Sequence, residues 1–308
     1  MNATPLKAPF PWFGGKSRVS NIVWRYFGDV KNYVEPFAGS LAVLLGRPGY
    51  NPLRHTETVN DKDCYLANFW RAVQHAPDEV AYWADWPVSE ADLLARHRWL
   101  LDQDMTLART DPHWYDAKIA GWWVWGLCSC LGDVWLRSNP QHQIMPYLST
   151  QAQGINQRSF DTERWMVKLR DRLFHVRVLC GDWERMMSYA IMDKHGSTAI
   201  FLDPPYDNDV HDITYKVRDN VAYKVAEWAI ENGENPLLRI AYCGYEGTVE
   251  FPKHWHEYAW KTPGGFASQG DGQGRANSRR ERIWFSPHCL LQPTLFQPHT
   301  HYTNGVTA

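Results

Sequence analysis

The segment best suited to chemistry is Asp203-Pro204-Pro205-Tyr206, placed directly after the apolar run Ala199–Leu202. In open α/β sheets, ligands bind outside the carboxyl ends of the strands. Two consecutive prolines stiffen the turn and leave the Pro204 carbonyl without a local partner. An acid, a fixed carbonyl and an aromatic ring then meet at one strand end, a set that suits a planar substrate carrying an NH2 group. The carboxylate and the carbonyl accept its two N–H bonds, and the tyrosine stacks on its ring. The same four residues also fit a plain turn with an N-capping Asp.

Two further segments bear on this reading. Glu35-Pro36-Phe37-Ala38-Gly39-Ser40 runs from a short strand into a small-residue turn that lets a ligand approach the backbone. Asp61 follows Gly39 by 22 residues, at the end of the next expected strand. An acid at about that spacing partners the ribose diol in nucleoside-binding sheets, and a helix N-cap is the other role open to it. Near the start, Pro9-Phe10-Pro11-Trp12-Phe13-Gly14-Gly15-Lys16 offers backbone amides and a lysine to an anion such as a carboxylate. It lacks GxxxxGK[ST] spacing, so triphosphate binding is not expected.

The elements that must position these residues alternate. Strands are expected at 31–35, 57–61, 197–202 and 237–242, and helices at 67–75 and 220–230. Residues 40–46 read as the start of a packed helix. The unbroken apolar run before Asp203 suits a strand covered on both faces, and the alternation argues for an α/β fold with a parallel sheet. Residues 76–164 differ: Trp83, Trp86, Trp99, Trp114, Trp122, Trp123, Trp125 and Trp135 fall there among helical patterns, which reads as an inserted, mainly helical region. The tail after Pro287 is rich in Pro, Thr and His and is expected to fray.

Composition excludes several classes. With 308 residues, the chain makes one large domain or two modest ones. It is 44% hydrophobic and 21% charged, which rules out wholesale disorder. A formal charge of −2 excludes a globally basic coat but not a local basic groove. No run approaches the roughly 18 apolar residues of a membrane helix, and Met1–Pro11 does not read as a secretory signal. The six cysteines are scattered, so a soluble, cytoplasmic protein in a reducing compartment is expected. Cys128-Ser129-Cys130 lacks the spacing of a zinc knuckle and reads as two buried thiols, with no metal expected.

Taken together, the Gly14-Gly15-Lys16 segment, the Glu35–Ser40 loop, the helical insert and Asp203-Pro204-Pro205-Tyr206, in that order, resemble the Dam-like (alpha-group) adenine-specific DNA methyltransferases. The order matches from Phe10 through Tyr206, and the remainder fits the rest of a catalytic domain. The resemblance implies a Rossmann-like, mostly parallel sheet of the class I methyltransferase type. Residues 1–75 and 165–287 would form the catalytic, cofactor-binding domain, 76–164 the helical target-recognition insert, and 288–308 a flexible tail. It implies S-adenosyl-L-methionine as cofactor. Trp12 and Lys16 would hold its methionine end, Glu35, Phe37 and Gly39 the turn beneath it, Asp61 its ribose, and Asp182 and Trp183 of Gly181-Asp182-Trp183 its adenine. Asp203 would lie between cofactor and target base, with Pro204, Pro205 and Tyr206 completing the catalytic set. Where the family's loop often reads Phe-x-Gly-x-Gly, this chain has Phe37-Ala38-Gly39-Ser40-Leu41.

The implied reaction is methyl transfer to adenine N6 in double-stranded DNA. That base must leave the duplex to be reached. Family relatives with Ser in place of the acid more often methylate cytosine N4, and those with Asn-Pro-Pro act on RNA or protein, so an adenine target is expected here. Cytosine-N4 methylation and a non-catalytic nucleic-acid-binding decoy are the alternatives, and a Trp-rich peripheral membrane protein is not expected. Two clusters offer positive charge for phosphates: Arg158, Arg164, Lys168, Arg170, Arg172 and Arg177, and, behind a Gly-rich loop at 264–274, Arg275, Arg279, Arg280 and Arg282. Trp122, Trp123, Trp125 and Trp135 read as insert core, with a wedge between bases as the alternative. A restriction endonuclease partner is compatible with the resemblance but is not readable in the sequence.

Overall fold

The computed structural model describes residues 6–12, 15–131, 135–136, 144–148, 154–157, 160–192, 194–205, 221–260 and 280–290. Among the described residues, seven strands form one sheet: β1 Asn32–Glu35, β2 Thr56–Asp61, β3 Val176–Cys180, β4 Thr198–Leu202, β5 Leu238–Tyr245, β6 His256–Ala259 and β7 Glu281–Phe285. Their order is β3-β2-β1-β4-β5-β7-β6. The first five are mutually parallel, and β7 runs antiparallel to both β5 and β6. The parallel part follows the 3-2-1-4-5 order of a doubly wound sheet. The chain reverses its direction of travel across the sheet between β1 and β4, where the crevice of such sheets lies.

Ten α-helices accompany the sheet among the described residues: α1 Ser20–Phe27, α2 Ala42–Leu45, α3 Cys64–His75, α4 Pro77–Ala84, α5 Glu90–Leu101, α6 Leu107–Thr110, α7 Ala117–Ser129, α8 Thr162–Leu173, α9 Tyr189–Met192 and α10 Val221–Asn232. Local chemistry sets several starts. Side-chain oxygens of Asp63, Ser89, Asp116 and Asp161 accept backbone N–H groups in the first turns of α3, α5, α7 and α8. The N-cap role left open for Asp61 thus belongs to Asp63.

Along β4 the side chains alternate between two cores. Ala199 and Phe201 enter a large core with α1, α3, α4, α7 and α8, whereas Ile200 and Leu202 enter a smaller one with α10. All five β4 residues are buried, as the apolar run predicts. The larger core is continuous with the helical region. Trp123 of α7 packs 5.2 Å from Phe10 and 5.4 Å from Phe69 of α3, ring centre to ring centre. Trp125 is fully buried, and Trp135 lies so close to Gly126 of α7 that a Cβ there would stand 1.9 Å from its ring. Two cations lie over the Trp122 ring, Arg96 at 4.9 Å and Lys118 at 4.4 Å. Trp123, Trp125 and Trp135 are core and Trp122 packs against it partly buried, while Tyr82 and Trp86 are exposed.

Several expectations need correction. The boundary at 164/165 cuts through α8, because Asp161 caps the helix at Arg164 N and starts it earlier. The strands β3, β6 and β7 escape the sequence reading. The β3 segment Val-Arg-Val-Leu-Cys mixes exposed and buried positions at one sheet edge, and the β6 segment His-Glu-Tyr-Ala is largely polar at the other. The tail does not loosen at 288: Cys289 is buried, and Leu290 N donates to Tyr26 O at 2.8 Å. The first basic cluster divides. Arg172 turns inward and pairs with fully buried Glu57 at 2.7 Å, beside Arg47 at 3.1 Å, and Arg170 pairs with its neighbour Asp171. Among the described residues, no helix is long and apolar enough to cross a membrane.

Candidate functional site

Outside the carboxyl ends of β1, β2, β3 and β4 lies a cleft of about 410 Å3. That size is within the range of small-molecule sites, about 300–1,000 Å3. Trp12 and Lys16 from the N-terminal segment, Glu35 to Ser40 after β1, Asp61 and Lys62 after β2, Gly181 to Trp183 after β3 and Asp203 to Pro205 after β4 all line it. Tyr245 at the end of β5 and Glu281 at the start of β7 close the far wall. Every described residue among the expected catalytic and cofactor positions therefore faces one cavity. Tyr206, Arg275, Arg279 and the Gly-rich loop lie outside the described residues.

The turn after β1 owes its shape to its small residues. Gly39 has φ +46°, and a Cβ there would stand 2.6 Å from Trp12 Nε1, so the indole rests directly on the glycine. Trp70 Nε1 donates to Gly39 O at 3.1 Å, and Gly39 N donates to Asp61 Oδ2 at 3.1 Å. Leu41, at the second glycine position of the family loop, is fully buried and adopts the left-handed conformation, φ 54° and ψ 27°. The backbone keeps the conformation a glycine would favour, at a steric cost of roughly 1–2 kcal/mol.

Asn60 is the positioning residue that sequence reasoning missed. Its buried side-chain amide donates to Pro36 O and to Gly181 O, each at 3.0 Å. It thereby ties the loop after β1 to the loop after β3 across the end of β2. Asn is depleted in strands, so its place inside the expected strand 57–61 is the signal that was available.

Charge is concentrated at the β4 end. Lys16 Nζ donates to Asp203 Oδ2 at 2.8 Å, with the lysine buried and the aspartate partly open to the cleft. Burial alone would lower the Lys16 ammonium, but the Asp203 carboxylate, with Cys243 and Glu281 behind it, overcomes this and raises it above its ordinary value. Glu35 is buried and accepts from the Tyr33 hydroxyl at 2.9 Å. Burial drives its carboxyl well above the usual range; the Tyr33 bond opposes this, and the Asp203 and Glu57 charges add to it. Burial also pushes Asp61 up to about 6, against the backbone N–H groups of Asp63 and Gly39 that favour its charged form. Asp182 Oδ1 accepts from Glu184 N at 3.0 Å, and Phe37 and Trp183 stack with ring centres 6.4 Å apart.

On the rim, Arg280 donates to Glu246 O at 2.9 Å, with its guanidinium 5.8 Å from the Tyr245 ring centre. Arg282 is paired with both Glu246 and Glu257, so its charge is committed to the fold, which corrects its expected place in a phosphate-binding cluster. Cys128 and Cys130 are buried, and burial pushes their thiols up to about 12 and about 11. No family model matches this chain, and no curated protein matches it.

Proposed function

We propose that this protein is an S-adenosyl-L-methionine-dependent DNA methyltransferase of the class I type that modifies the N6 amino group of an adenine flipped out of duplex DNA. The observation that carries the reading is the meeting of Lys16, Asp61, Asp182, Trp183 and Asp203, which come from four separate segments, on one cleft at the switch point of a doubly wound sheet. The donor set suits the cofactor: a buried ammonium for its carboxylate, a carboxylate for its ribose diol, and a stacked aromatic pair beside a further carboxylate for its adenine. When bound, the cofactor supplies a sulfonium methyl that is already electrophilic, so transfer mainly requires alignment.

The protein's own groups provide that alignment. The adenine amino nitrogen is a weak nucleophile because its lone pair is delocalised into the ring. Asp203 and the Pro204 carbonyl accept its two N–H bonds and favour a pyramidal nitrogen whose lone pair points at the methyl. Lys16 fixes the Asp203 carboxylate from the protein side, so that the carboxylate's other oxygen serves the base. The surplus N6 proton would pass to bulk water after transfer, so no early general base is required. Exposed Tyr82 and Trp86 on the helical region, with Arg280 on the rim, are the surface groups suited to a distorted duplex.

The reading is tested by methyl transfer from labelled S-adenosyl-L-methionine to unmethylated duplex DNA, followed by nucleoside digestion and mass analysis. N6-methyladenine is the expected product. N4-methylcytosine would keep the chemistry and overturn the base. Cofactor binding with no transfer to DNA or RNA would overturn the enzyme reading in favour of a non-catalytic binder.

A further inference from the structure

Two thiols outside the mechanism stand against each other behind the cleft wall. Cys64 is the first residue of α3, three residues after Asp61, and Cys180 is the last residue of β3, immediately before Gly181-Asp182-Trp183. Their sulfurs are 3.7 Å apart. The pairing of Asp61 with Cys180 across β2 and β3 brings them there, and Gly181 N donates to Asp61 O at 3.0 Å on the same rung. Cys64 is partly buried, whereas Cys180 is buried in a small apolar patch with Ala67 and Ala108. The Arg109 guanidinium lies beside both sulfurs and also donates to Lys62 O at 3.0 Å. The other four cysteines are buried.

We propose that Cys64 and Cys180 are a thiol–disulfide modification site that closes under peroxide and, once closed, impairs ligand binding in the adjoining cleft. The accessible Cys64 sulfur attacks one peroxide oxygen, the O–O bond breaks, and hydroxide leaves toward Arg109, giving the sulfenic acid. The Cys180 sulfur then attacks the Cys64 sulfur, the S–O bond breaks, and water leaves. Two thiols and one hydrogen peroxide thus become one disulfide and two waters. A disulfide needs sulfurs about 2.05 Å apart, so the 3.7 Å gap must shorten. That shortening draws the start of α3 toward the end of β3. Asp61 and Lys62, just before α3, and Asp182 and Trp183, just after β3, all line the cleft.

The experiment treats the full-length protein with hydrogen peroxide, alkylates the remaining thiols after unfolding, and maps the peptides by mass spectrometry. A Cys64–Cys180 linked peptide that dithiothreitol abolishes, with the other four cysteines alkylated, is the expected result. Full alkylation of Cys64, or its recovery as sulfinic acid without a linked peptide, would overturn the pairing. Calorimetric titration of the oxidised protein with S-adenosyl-L-methionine, which rests on the function proposed above, should show affinity about tenfold lower, a loss of ordinary coupling size. Cys64→Ser should bind equally with and without peroxide. A linked protein that binds the cofactor normally would overturn control of the cleft. Failure of the reduced protein to bind it would count against the cofactor, while the peptide map would still decide the disulfide.

Discussion

The Lys16–Asp203 pair carries the most consequence at the scale of single residues. A buried ammonium is expensive unless a partner meets it, and here that partner is the acid assigned to the target base. Lys16→Ala should weaken S-adenosyl-L-methionine binding in calorimetry and cost about 2 kcal/mol of stability in chemical denaturation. The cost falls below the 3–5 kcal/mol of a fully buried pair because water reaches Asp203. Asp61 sets a pH dependence. Its carboxyl titrates near 6 in the fold, above the ordinary Asp range, so its contribution to stability is complete below pH 4 and is lost as pH rises through about 6. Ligand affinity should run the other way. The ionised carboxylate is the better acceptor for a ribose diol, so titrations from pH 7.5 down to 5.5 should show progressively weaker cofactor binding. Affinity independent of pH across that window would detach Asp61 from the ligand.

Among the elements, the ends of β1, β2 and β3 act together because Asn60 and the Gly39 turn couple them. Asn60→Ala leaves the Pro36 and Gly181 carbonyls without their donors and should cost about 1–3 kcal/mol in thermal or chemical unfolding. Cofactor affinity should fall along with stability, because the loops after β1 and β3 lose their shared tie; unchanged affinity in a folded variant would reduce Asn60 to a packing role. Sequence reasoning reached the strands with strong local signatures. These are β1 and β2, each ending in an acid that lines the cleft, β4, followed at once by Asp203, and most of β5. It did not reach β3, β6 or β7, whose patterns are set by edge position and antiparallel partners far along the chain. The same limit explains Tyr245 and Glu281. Nothing local marks them: Tyr245 joins the cleft from the carboxyl end of β5, and Glu281 only because β7 pairs beside it.

For the molecule as a whole, the helical region and the sheet share one hydrophobic core. Phe10, Phe69, Trp70 and Trp123 form a single aromatic cluster joining the N-terminal segment, α3 and α7. Composition marked residues 76–164 as different, but it could not reveal that their tryptophans complete the core of the sheet rather than one of their own. A single cooperative transition is therefore expected in scanning calorimetry. Two separated transitions would show the helical region to be an independent unit. The chain is formally acidic overall, so duplex binding would depend on local charge and should weaken steeply with salt.

The account rests most heavily on Asp203, and the most direct measurement compares the wild type with Asp203→Ala for transfer rate on duplex DNA and for cofactor affinity. Asp203→Ala should lose transfer by about 100-fold or more even at saturating cofactor, with the far-ultraviolet circular dichroism spectrum close to that of the wild type. A variant that transfers methyl groups at nearly the wild-type rate would contradict the account and leave Asp203-Pro204-Pro205-Tyr206 as no more than a turn.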